Sequence, residues 1–474
     1  MPPALPSLPA VVLLVGGGAE EPGGWSDAPY AALAEGRRVA VLGTTPSEEP
    51  GWYAGYFLSL GAVAADEHVV ATRAEALAAD LSGYDAFFLR GGDQWSYVTA
   101  WAGTPVEDAI RAAAAVGGTS AGAAVLGELD FTAEHGTVHP EEVLADWSSP
   151  YVTLARDFLP LVPGVVADTH FGQRGRLGRL VPFAACEGAV GVGVDDKTAA
   201  VLRDGVWTVH GTATVSFVRG RDAACGEGPP RAEADMDVLV DGWTWSDADG
   251  PSGPGEARAP TPWTAPAEDL VLAAGTEGAQ AILDPREDDL YCGTLALTPG
   301  TGQVPGMVTV DAWDETLVEP RVAGTVWALA DAGLAVGVLT VDGGSVTALA
   351  SGGFEAGGGA ASVLLLAEGG VRSAEVGWQD PACAAARLAR ALTEVRVAIV
   401  PPGSRAFEDL GDAAPDEDTG ADTDGAGPVG PGGGDTASGC GCAAPVGTRP
   451  WAAALALAAF VGLSACARRG PARV

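Results

Sequence analysis

The sequence predicts an α/β fold in which a doubly wound parallel sheet occupies about residues 11–245. Short, continuous apolar runs alternate there with alanine-rich stretches of helical length, and strands that are apolar on both faces are typical of a parallel sheet with helices on both sides. Glycine clusters follow several of these runs, where buried strands have to turn. In such a fold, catalytic groups lie at the carboxyl ends of the strands.

Each element of this region follows from its own apolar pattern. Strands are predicted over Val11–Val15, Val39–Leu42, Ala86–Leu89 and a short segment that ends at Val116, and helices over Tyr53–Leu60, Arg73–Ala79 and Ala109–Ala115. The apolar segments Val206–Val218 and Val238–Trp245 are expected to close the domain.

A second unit is predicted after a linker. The stretch 246–266 is rich in Gly, Pro and Asp, and it precedes an α/β or β-rich unit over 267–400. Two strings recur between the units: Val304–Val308 resembles Val162–Val166, and Gly333–Val338 resembles Gly188–Gly193. The repetition indicates either a degenerate partial copy of the first unit or coincidence in a chain rich in Gly, Ala and Val.

A copy of this kind would be catalytically inactive. Gly275–Glu277 would correspond to Gly118–Ser120, so that Glu277 takes the place of a serine. No histidine follows the second Val-Pro-Gly string.

The C-terminal end predicts a tether and a membrane-spanning helix. Residues 401–442 are acidic and rich in Gly, Pro, Thr and Ser, and such a segment is disordered because it cannot bury enough apolar surface to fold. The uncharged run Trp451–Ala467 is followed by Arg468 and Arg469. This order predicts a transmembrane helix over 451–469 with the arginines on the cytoplasmic side. A buried amphipathic helix is the alternative interpretation.

With the Gly-Cys doublet Gly439–Cys442, the same order resembles the C-terminal sorting tag of myxobacterial surface proteins. The resemblance implies recognition by sorting machinery and a location in the cell envelope, either anchored at the surface or secreted after C-terminal processing. No N-terminal signal peptide is evident, because residues 1–18 contain neither a positively charged segment nor a small-x-small cleavage site. Either the true start lies upstream or the interpretation as a tag is wrong.

Charge and cysteine content restrict the partners and cofactors. The chain of 474 residues has 62 acidic and 26 basic side chains and a formal charge of -36, which argues against non-specific binding to nucleic acid or anionic lipid over most of the surface. Cys186, Cys225, Cys292 and Cys383 have no zinc-ligand spacing, and they could form two disulfides in three connectivities or remain buried thiols. Without a metal motif, P-loop or dinucleotide fingerprint, no metal or cofactor is expected. A homodimer is compatible with the sequence but not required by it.

One motif indicates a nucleophile. Gly118–Gly122 has the pattern G-x-S-x-G, follows a predicted strand and precedes the apolar stretch Ala121–Leu126. Glycines on both sides of Ser120 permit a tight turn that exposes its hydroxyl group, while a helix N-terminus offers N–H groups to an oxyanion.

Two further motifs supply a base and an acid. Asp168 and His170 are followed by Arg174, Arg176 and Arg179, three closely spaced cations that need anions to compensate them. A buried strand then delivers Asp195 and Asp196 at its carboxyl end, and one of the two could orient His170. The alternative is an ordinary turn in which the aspartate pair is balanced by Lys197.

These motifs together resemble those of cyanophycinases, a serine peptidase family that includes aspartyl dipeptidases and has a class I glutamine-amidotransferase-like fold. The resemblance rests on Gly91–Gln94, Gly118–Ala123, Asp168–Phe171 with the three arginines, and Gly193–Ala199, in order over about residues 11–245. It implies a Ser–His–acid hydrolase that releases β-aspartyl-arginine dipeptides from cyanophycin, a polyaspartate that carries arginine on its side chains.

The resemblance also implies roles for individual residues. Ser120 would be the nucleophile, His170 the general base and then acid, and Asp196 the third catalytic residue, with Asp195 as the fallback because the family usually has Glu where Asp196 stands. The N–H groups at Gly92 and Ala121 would form the oxyanion hole. The substrate would be bound by Gln94, Asp168, Arg174, Arg176 and Arg179.

Two alternatives stay open. The chain could be an aspartyl dipeptidase or amidase that acts on another acidic peptide. It could also be a surface binding protein whose peptidase fold has lost activity, as the Glu-to-Asp change and the unmatched second unit would allow.

Overall fold

The structure is a computed structural model that describes residues 9–254, 256–258, 263–273, 279–283, 297–300, 302–313, 329, 334–341, 345–358, 360–367, 371–373, 376–378, 387–389 and 391–408. The predicted helix over 451–469 and most of the predicted tether lie outside these residues. Within them, no helix has the length and apolar character needed to cross a membrane.

The described helices are α1 (Asp27–Ala34), α2 (Trp52–Ser59), α3 (Arg73–Ala78), α4 (Gln94–Trp101), α5 (Pro105–Arg111), α6 (Ala121–Ala124), α7 (Pro140–Ala145) and α8 (Leu177–Glu187). The strands of the first part are β1 (Val11–Val15), β2 (Arg38–Gly43), β3 (Ala64–Val69), β4 (Ala86–Leu89), β5 (Ala115–Thr119), β6 (Gly127–Phe131), β7 (Leu154–Ala155), β8 (Val162–Thr169), β9 (Val190–Val194), β10 (Thr198–Arg203), β11 (Val206–Gly211), β12 (Val215–Ala224), β13 (Arg231–Leu239), β14 (Thr244–Ser246) and β15 (Gly250–Ser252).

The strands of the second part are β16 (Glu256–Arg258), β17 (Leu270–Ala273), β18 (Ala279–Leu283), β19 (Leu297–Pro299), β20 (Val304–Trp313), β21 (Val336–Val341), β22 (Ser345–Ala348), β23 (Phe354–Gly357), β24 (Ser362–Ala367), β25 (Val371–Ser373), β26 (Val376–Trp378), β27 (Arg387–Ala389), β28 (Leu392–Val400) and β29 (Arg405–Ala406).

The first sheet has a parallel centre with helices on both faces. Its nine described strands run in the order β15-β14-β11-β10-β1-β5-β4-β2-β3, and the pairs between β1 and β3 are parallel. Alternate residues of β1 face opposite ways: Leu13 joins a core with α1 and α2, while Leu14 joins a core with α4 and α5. The mixed α/β class with a parallel sheet is therefore confirmed.

One predicted helix is present, but its predicted bounds are four residues too late. The helix expected over Ala109–Ala115 is α5 over Pro105–Arg111, and β5 begins where that helix was expected to end. Pro105 lies in the first turn of the helix, where its missing N–H group costs nothing, so the helix starts earlier. Strand β5 needs glycine at position 117, because a Cβ atom there would come within 2.9 Å of the Leu13 Cβ atom on β1.

The second sheet extends through both expected units. Its twelve described strands run in the order β19-β18-β20-β21-β24-β28-β13-β12-β9-β8-β6-β7. Strands β13 and β28 pair in antiparallel fashion across the expected boundary. Residues 1–415 accordingly form one compact unit, and the linker predicted at 246–266 does not separate two independent sheets.

The register of the parallel pairs places the motifs at one edge. Val15 lies opposite Thr119 in the β1–β5 pair, and Thr169 lies opposite Val194 in the β8–β9 pair. The residues that follow these strand ends therefore meet at the carboxyl edges of both sheets.

Candidate active site

Ser120 occupies a strained turn between β5 and α6. Its backbone has φ 53° and ψ −124°, a conformation that L-residues rarely adopt. A Cβ atom on Gly118 would lie 2.4 Å from the Gly122 carbonyl group, and one on Gly122 would lie 2.2 Å from the Leu89 carbonyl oxygen. Both glycines are therefore required for the turn, which directs the serine hydroxyl away from the sheet.

His170 follows β8 and lies beside this serine. Its Nε2 atom is 2.8 Å from the Ser120 Oγ atom. The backbone N–H group of His170 donates to the Gly16 carbonyl oxygen at 2.8 Å. The φ angle of His170, 48°, is also in the left-handed region. Gly17 permits the contact, because a Cβ atom there would come within 2.2 Å of the imidazole Cε1 atom.

Of the two aspartates after β9, Asp196 reaches the imidazole. Its Oδ1 atom is 2.6 Å from the His170 Nδ1 atom, and 31% of its side chain is exposed. Asp195 is buried and accepts N–H groups from Gly172 at 2.7 Å and Thr214 at 3.0 Å, in addition to the Thr214 hydroxyl at 2.6 Å. Asp195 therefore anchors neighbouring loops, and the shorter Asp196 side chain spans the distance to His170.

Asp168 and two of the three arginines form a buried ion cluster. Arg179 donates to Asp168 through its Nε atom at 2.7 Å and its terminal nitrogen at 2.6 Å, and Arg176 donates to the same carboxylate at 3.0 Å. Asp168 is 4% exposed, Arg176 7% and Arg179 1%. These three sequence-predicted substrate residues thus contact one another and are largely removed from solvent.

The cluster is held in its ionised form. Burial raises the pKa of the Asp168 carboxyl group, but the attraction of Arg179 and then Arg176 outweighs this effect, so that its pKa lies below the ordinary value. Burial and the neighbouring Arg179 lower the pKa of Arg176 to about 9, so Arg176 stays protonated at neutral pH. Arg179 also donates to the Val138 carbonyl oxygen at 2.8 Å and stacks over Phe131.

The other two residues predicted to bind the substrate, Arg174 and Gln94, lie outside the buried cluster. Arg174 is exposed and forms no ion pair with another described residue. Gln94 is half-buried at the first position of α4, which Asp93 caps by accepting the Trp95 N–H group. The structure gives no contact between Gln94 and the Ser120–His170 pair.

The two expected oxyanion donors border the serine. Ala121 opens α6, so its N–H group has no acceptor within the helix. Gly92 lies in the loop after β4, and a Cβ atom on its neighbour Gly91 would lie 3.4 Å from the Ser120 Cβ atom. The Tyr97 hydroxyl donates to the carbonyl oxygens of Arg90 at 2.7 Å and Gly91 at 3.1 Å, which fixes this loop.

Sequence reasoning named Lys197 as a balance for the aspartate pair, but it missed the Glu21 partner of Lys197 and the other residues that hold the Asp196 turn. The Asp196 N–H group donates to the Gln173 side chain at 2.9 Å, and the Lys197 N–H group donates to the Gly17 carbonyl oxygen at 2.8 Å. The Lys197 ammonium group pairs with the Glu21 carboxylate at 3.0 Å. One signal was present in the sequence: Lys197 is the chain's only lysine and follows Asp196 directly.

The structure also joins two cysteines whose pairing the sequence left open. Cys186, at the end of α8, forms a disulfide with Cys225, which follows β12, with Cα atoms 5.9 Å apart. Cys292 and Cys383 lie outside the described residues. In the described part of the chain, no group of three or more His, Cys, Asp or Glu side chains could hold a metal ion.

These features define an α/β protein whose site has the side-chain arrangement of a serine hydrolase: a hydroxyl, an imidazole and a carboxylate in hydrogen-bonded sequence. Comparison with known proteins relates the chain to one family. It is 33% identical over 202 residues to a cyanophycinase from Synechococcus elongatus, a match that covers 39% of this chain and 60% of the relative. It is 36% identical over 147 residues to a cyanophycinase from Trichormus variabilis, over 30% of this chain and 47% of the relative. The chain is thus similar in sequence to cyanophycinases, as the motifs indicated, although it spans only about half to three fifths of these relatives.

No protein-family model matches the sequence. Among solved structures, a peptidase from an acI-B1 Actinobacterium is 18% identical, with coverage of 50% of this chain and 97% of that one and a TM-score of 0.34. A score this low carries no argument about the fold.

Proposed function

We propose that the protein is a serine-type peptidase that hydrolyses cyanophycin or a related aspartyl polymer to β-aspartyl-arginine dipeptides. The observation that carries the proposal is the hydrogen-bonded series from Ser120 Oγ through the His170 ring to Asp196 Oδ1, at 2.8 Å and 2.6 Å. The sequence relationship to cyanophycinases supports the choice of substrate.

The geometry suits acyl transfer. The Ser120 hydroxyl attacks the scissile carbonyl carbon while the His170 Nε2 atom accepts its proton. The imidazolium that forms donates from Nδ1 to Asp196, which fixes the ring and stabilises its positive charge. His170 then returns the proton to the leaving amine, and water releases the acyl group by the same steps in reverse.

The turn around Ser120 supplies the electrostatic part of catalysis. The negative charge that develops on the carbonyl oxygen would be received by the N–H groups of Ala121 and Gly92, on the two sides of the serine. Because Gly118 and Gly122 fix the backbone of the turn at Ser120, these donors need no rearrangement during the reaction.

One observation favours the second candidate, an aspartyl dipeptidase or amidase on another acidic peptide. Asp168, expected to bind a substrate guanidinium group, already accepts hydrogen bonds from Arg176 and Arg179. Arg174 remains exposed and can pair with a substrate carboxylate. An acidic substrate without arginine would meet these conditions as well as cyanophycin does.

The proposed location is the cell envelope, at the surface or released from it. Disulfides persist in oxidising compartments outside the cytoplasm, and the Cys186–Cys225 bond supports this proposal. Sorting machinery that acts on the C-terminal tail is the corresponding proposed partner.

The test is hydrolysis by the full chain. Insoluble cyanophycin, poly-aspartate and β-aspartyl-arginine are incubated with the wild type and with Ser120→Ala, and products are measured by mass spectrometry. Ser59→Ala is the matched control, because Ser59 is exposed on α2 and donates only to the Tyr56 carbonyl oxygen. We expect dipeptide release from cyanophycin by the wild type and Ser59→Ala alone.

Other outcomes separate the alternatives. Turnover of acidic peptides without turnover of cyanophycin supports the second candidate. No turnover of any substrate, with cyanophycin binding unchanged by Ser120→Ala, overturns both in favour of a binding protein without activity.

A further inference from the structure

Ten strands of the second part repeat ten strands of the first, both in their order along the chain and in which strands lie next to each other in the sheets. The first series is β1, β6, β7, β8, β9, β10, β11, β12, β13 and β14, and the second is β17, β18, β19, β20, β21, β22, β23, β24, β28 and β29. The recurring strings found in the sequence lie on β8 and β20 and at β9 and β21.

The directions of pairing repeat as well. In the twelve-stranded sheet, β6 is antiparallel to β7 and parallel to β8, β8 is parallel to β9, and β9, β12 and β13 are antiparallel in succession. Strands β18 to β21, β24 and β28 repeat each of these relations. The antiparallel succession β1-β10-β11-β14 likewise recurs as β17-β22-β23-β29.

The registers agree residue by residue. In the first part Gly127 lies opposite Val162 and Leu129 opposite Val166, and in the second Ala279 lies opposite Val304 and Ala281 opposite Val308. The strand pairs β6–β8 and β18–β20 have the same irregularity: an advance of two residues on the first strand corresponds to an advance of four on the second. It coincides with a left-handed glycine in each Val-Pro-Gly string, Gly164 at φ 68° and Gly306 at φ 78°. Coincidence of composition does not produce a shared bulge at the same register.

The two series meet at equivalent residues. The paired residues, traced from strand to strand, identify the equivalent positions of the two series. Val190 corresponds to Val336, Arg219 to Leu366, and Asp235 to Arg396. Asp235 lies directly opposite Arg396 in the β13–β28 pair. On either side of this pair, Ala234 lies opposite Val397 and Met236 lies opposite Val395. Because Ala234 is equivalent to Val395 and Met236 to Val397, exchanging the two series converts one of these pairs into the other. This is the pattern of an isologous interface, in which a two-fold axis passes between two copies of one residue.

We infer that the second part of the chain is a non-catalytic copy of the first and serves as its built-in partner, paired with edge strand β13 as a second molecule would be in a homodimer. The inference is independent of the proposed reaction, since it rests on strand pairing alone.

The copy lacks the catalytic half of the fold. Residues 16–126, which include Ser120 and the loop at Gly91, separate β1 from β6, whereas only residues 274–278 separate β17 from β18. The offset that aligns the two Val-Pro-Gly strings places Ala312 where His170 stands. The retained strands are therefore those that form the interface and the sheet.

The copy packs against α8, the helix that contains Arg179 of the buried ion cluster. Leu180 and Phe183 of α8 share one apolar core with Leu365 of β24 and Val397 of β28. The Ala361 N–H group also donates to the Leu144 carbonyl oxygen at 2.9 Å. Pairing with the copy thus covers an edge that would otherwise present unpaired backbone groups to other chains.

The first test concerns the equivalence of the pairs. Two double variants of the full chain, Ala234→Cys with Val397→Cys and Met236→Cys with Val395→Cys, are oxidised mildly and analysed by peptide mapping. Opposed residues of an antiparallel pair lie within disulfide distance, so both should form intrachain bonds in a monomer. The mismatched pair Ala234→Cys with Val395→Cys is the control. Failure of either matched pair, or equal bonding of the mismatched one, overturns the inference.

The second test uses the residue on the axis. With β28 intact, Asp235→Cys should give no cross-linked dimer. When Val397→Pro removes a ladder hydrogen bond and strains the β28 pairing, two first units can pair through β13, and the introduced thiols at position 235 should then join two chains as the main product. A folded Val397→Pro chain that stays monomeric and uncross-linked contradicts the role as partner. If this variant does not fold, the cysteine pairs decide.

Discussion

Asp168, which precedes His170 by two residues, and Asp196, which follows it by 26, have opposite environments. Asp196 is partly exposed and directs one oxygen at the imidazole, whereas Asp168 is buried and shares its oxygens between Arg176 and Arg179. A carboxylate that faces an imidazole can stabilise the positive charge that a transferred proton brings to the ring, but one already balanced by two guanidinium groups is a structural charge. The difference teaches that the two carboxylates near His170 are distinguished by the charges that compensate them.

The largest expected effect is on activity, at Asp196. Asp196→Asn should lower kcat by about 10⁴-fold, because the amide favours the wrong tautomer of His170 and cannot stabilise the imidazolium. Its thermal unfolding should change little, since the side chain is partly exposed. Steady-state kinetics and calorimetry on the full chain measure both.

Asp195→Asn is the matched control for this prediction. Asp195 accepts from Gly172 and Thr214 without reaching the imidazole, so its loss should reduce stability more than kcat. The reverse ranking of the two variants in kcat would mean that the acid of the site is misassigned.

The next effect is on stability, at Asp168. Asp168→Asn leaves Arg176 and Arg179 buried without their anion, and breaking a buried ion pair on one side costs about 3–5 kcal/mol. Urea unfolding should show this loss in the free energy of unfolding. A control at Asp222→Asn removes an exposed ion pair with Arg231 and should cost less than about 1 kcal/mol. Equal losses in both variants would contradict the structural role of the buried cluster.

The same contrast predicts a dependence on pH. The folded-state pKa of Asp168 lies below its unfolded value because the arginines outweigh the effect of burial. Its contribution to stability is therefore fully present above the unfolded pKa of about 3.9 and is lost as pH falls through the folded value. The difference in unfolding free energy between wild type and Asp168→Asn should shrink below about pH 4. A difference that stays constant from pH 7 to pH 3 would show that Asp168 does not titrate in this way.

How far the sequence predicts this site depends on the type of contact. The pattern Gly-x-Ser-x-Gly predicted the turn at Ser120 because local sterics decide it, and the apolar runs placed Ser120, His170 and Asp196 at strand ends. The local pattern alone did not separate Asp195 from Asp196, which only the resemblance ranked, since their difference arises from Thr214, a residue just before β12. It also grouped Asp168, Arg176 and Arg179 as substrate residues, whereas the structure buries them against each other through packing of α8 on the sheet. The pairing of β13 with β28 joins residues far apart in sequence and has no local signal.

The smallest expected effect concerns the support of Asp196 by Lys197. The ion pair with Glu21 holds the turn after β9 against the segment after β1, which also contacts His170 through Gly16 and Gly17. Lys197→Met should therefore lower kcat roughly tenfold, because a small displacement of Asp196 misplaces the imidazole, with KM little changed. A partly exposed pair of this kind contributes about 1 kcal/mol or less to stability, so unfolding should be nearly unaffected. Lys197→Arg should recover most of the lost kcat, and Arg156→Met, which removes exposed pairs with Glu128 and Glu187 near the opposite end of β8, should leave kcat unchanged. A loss of kcat in Arg156→Met equal to that in Lys197→Met would assign the effect to general ion pairing. The position of Asp196 would then depend on the hydrogen bonds that the Asp196 and Lys197 N–H groups donate to the Gln173 side chain and the Gly17 carbonyl oxygen.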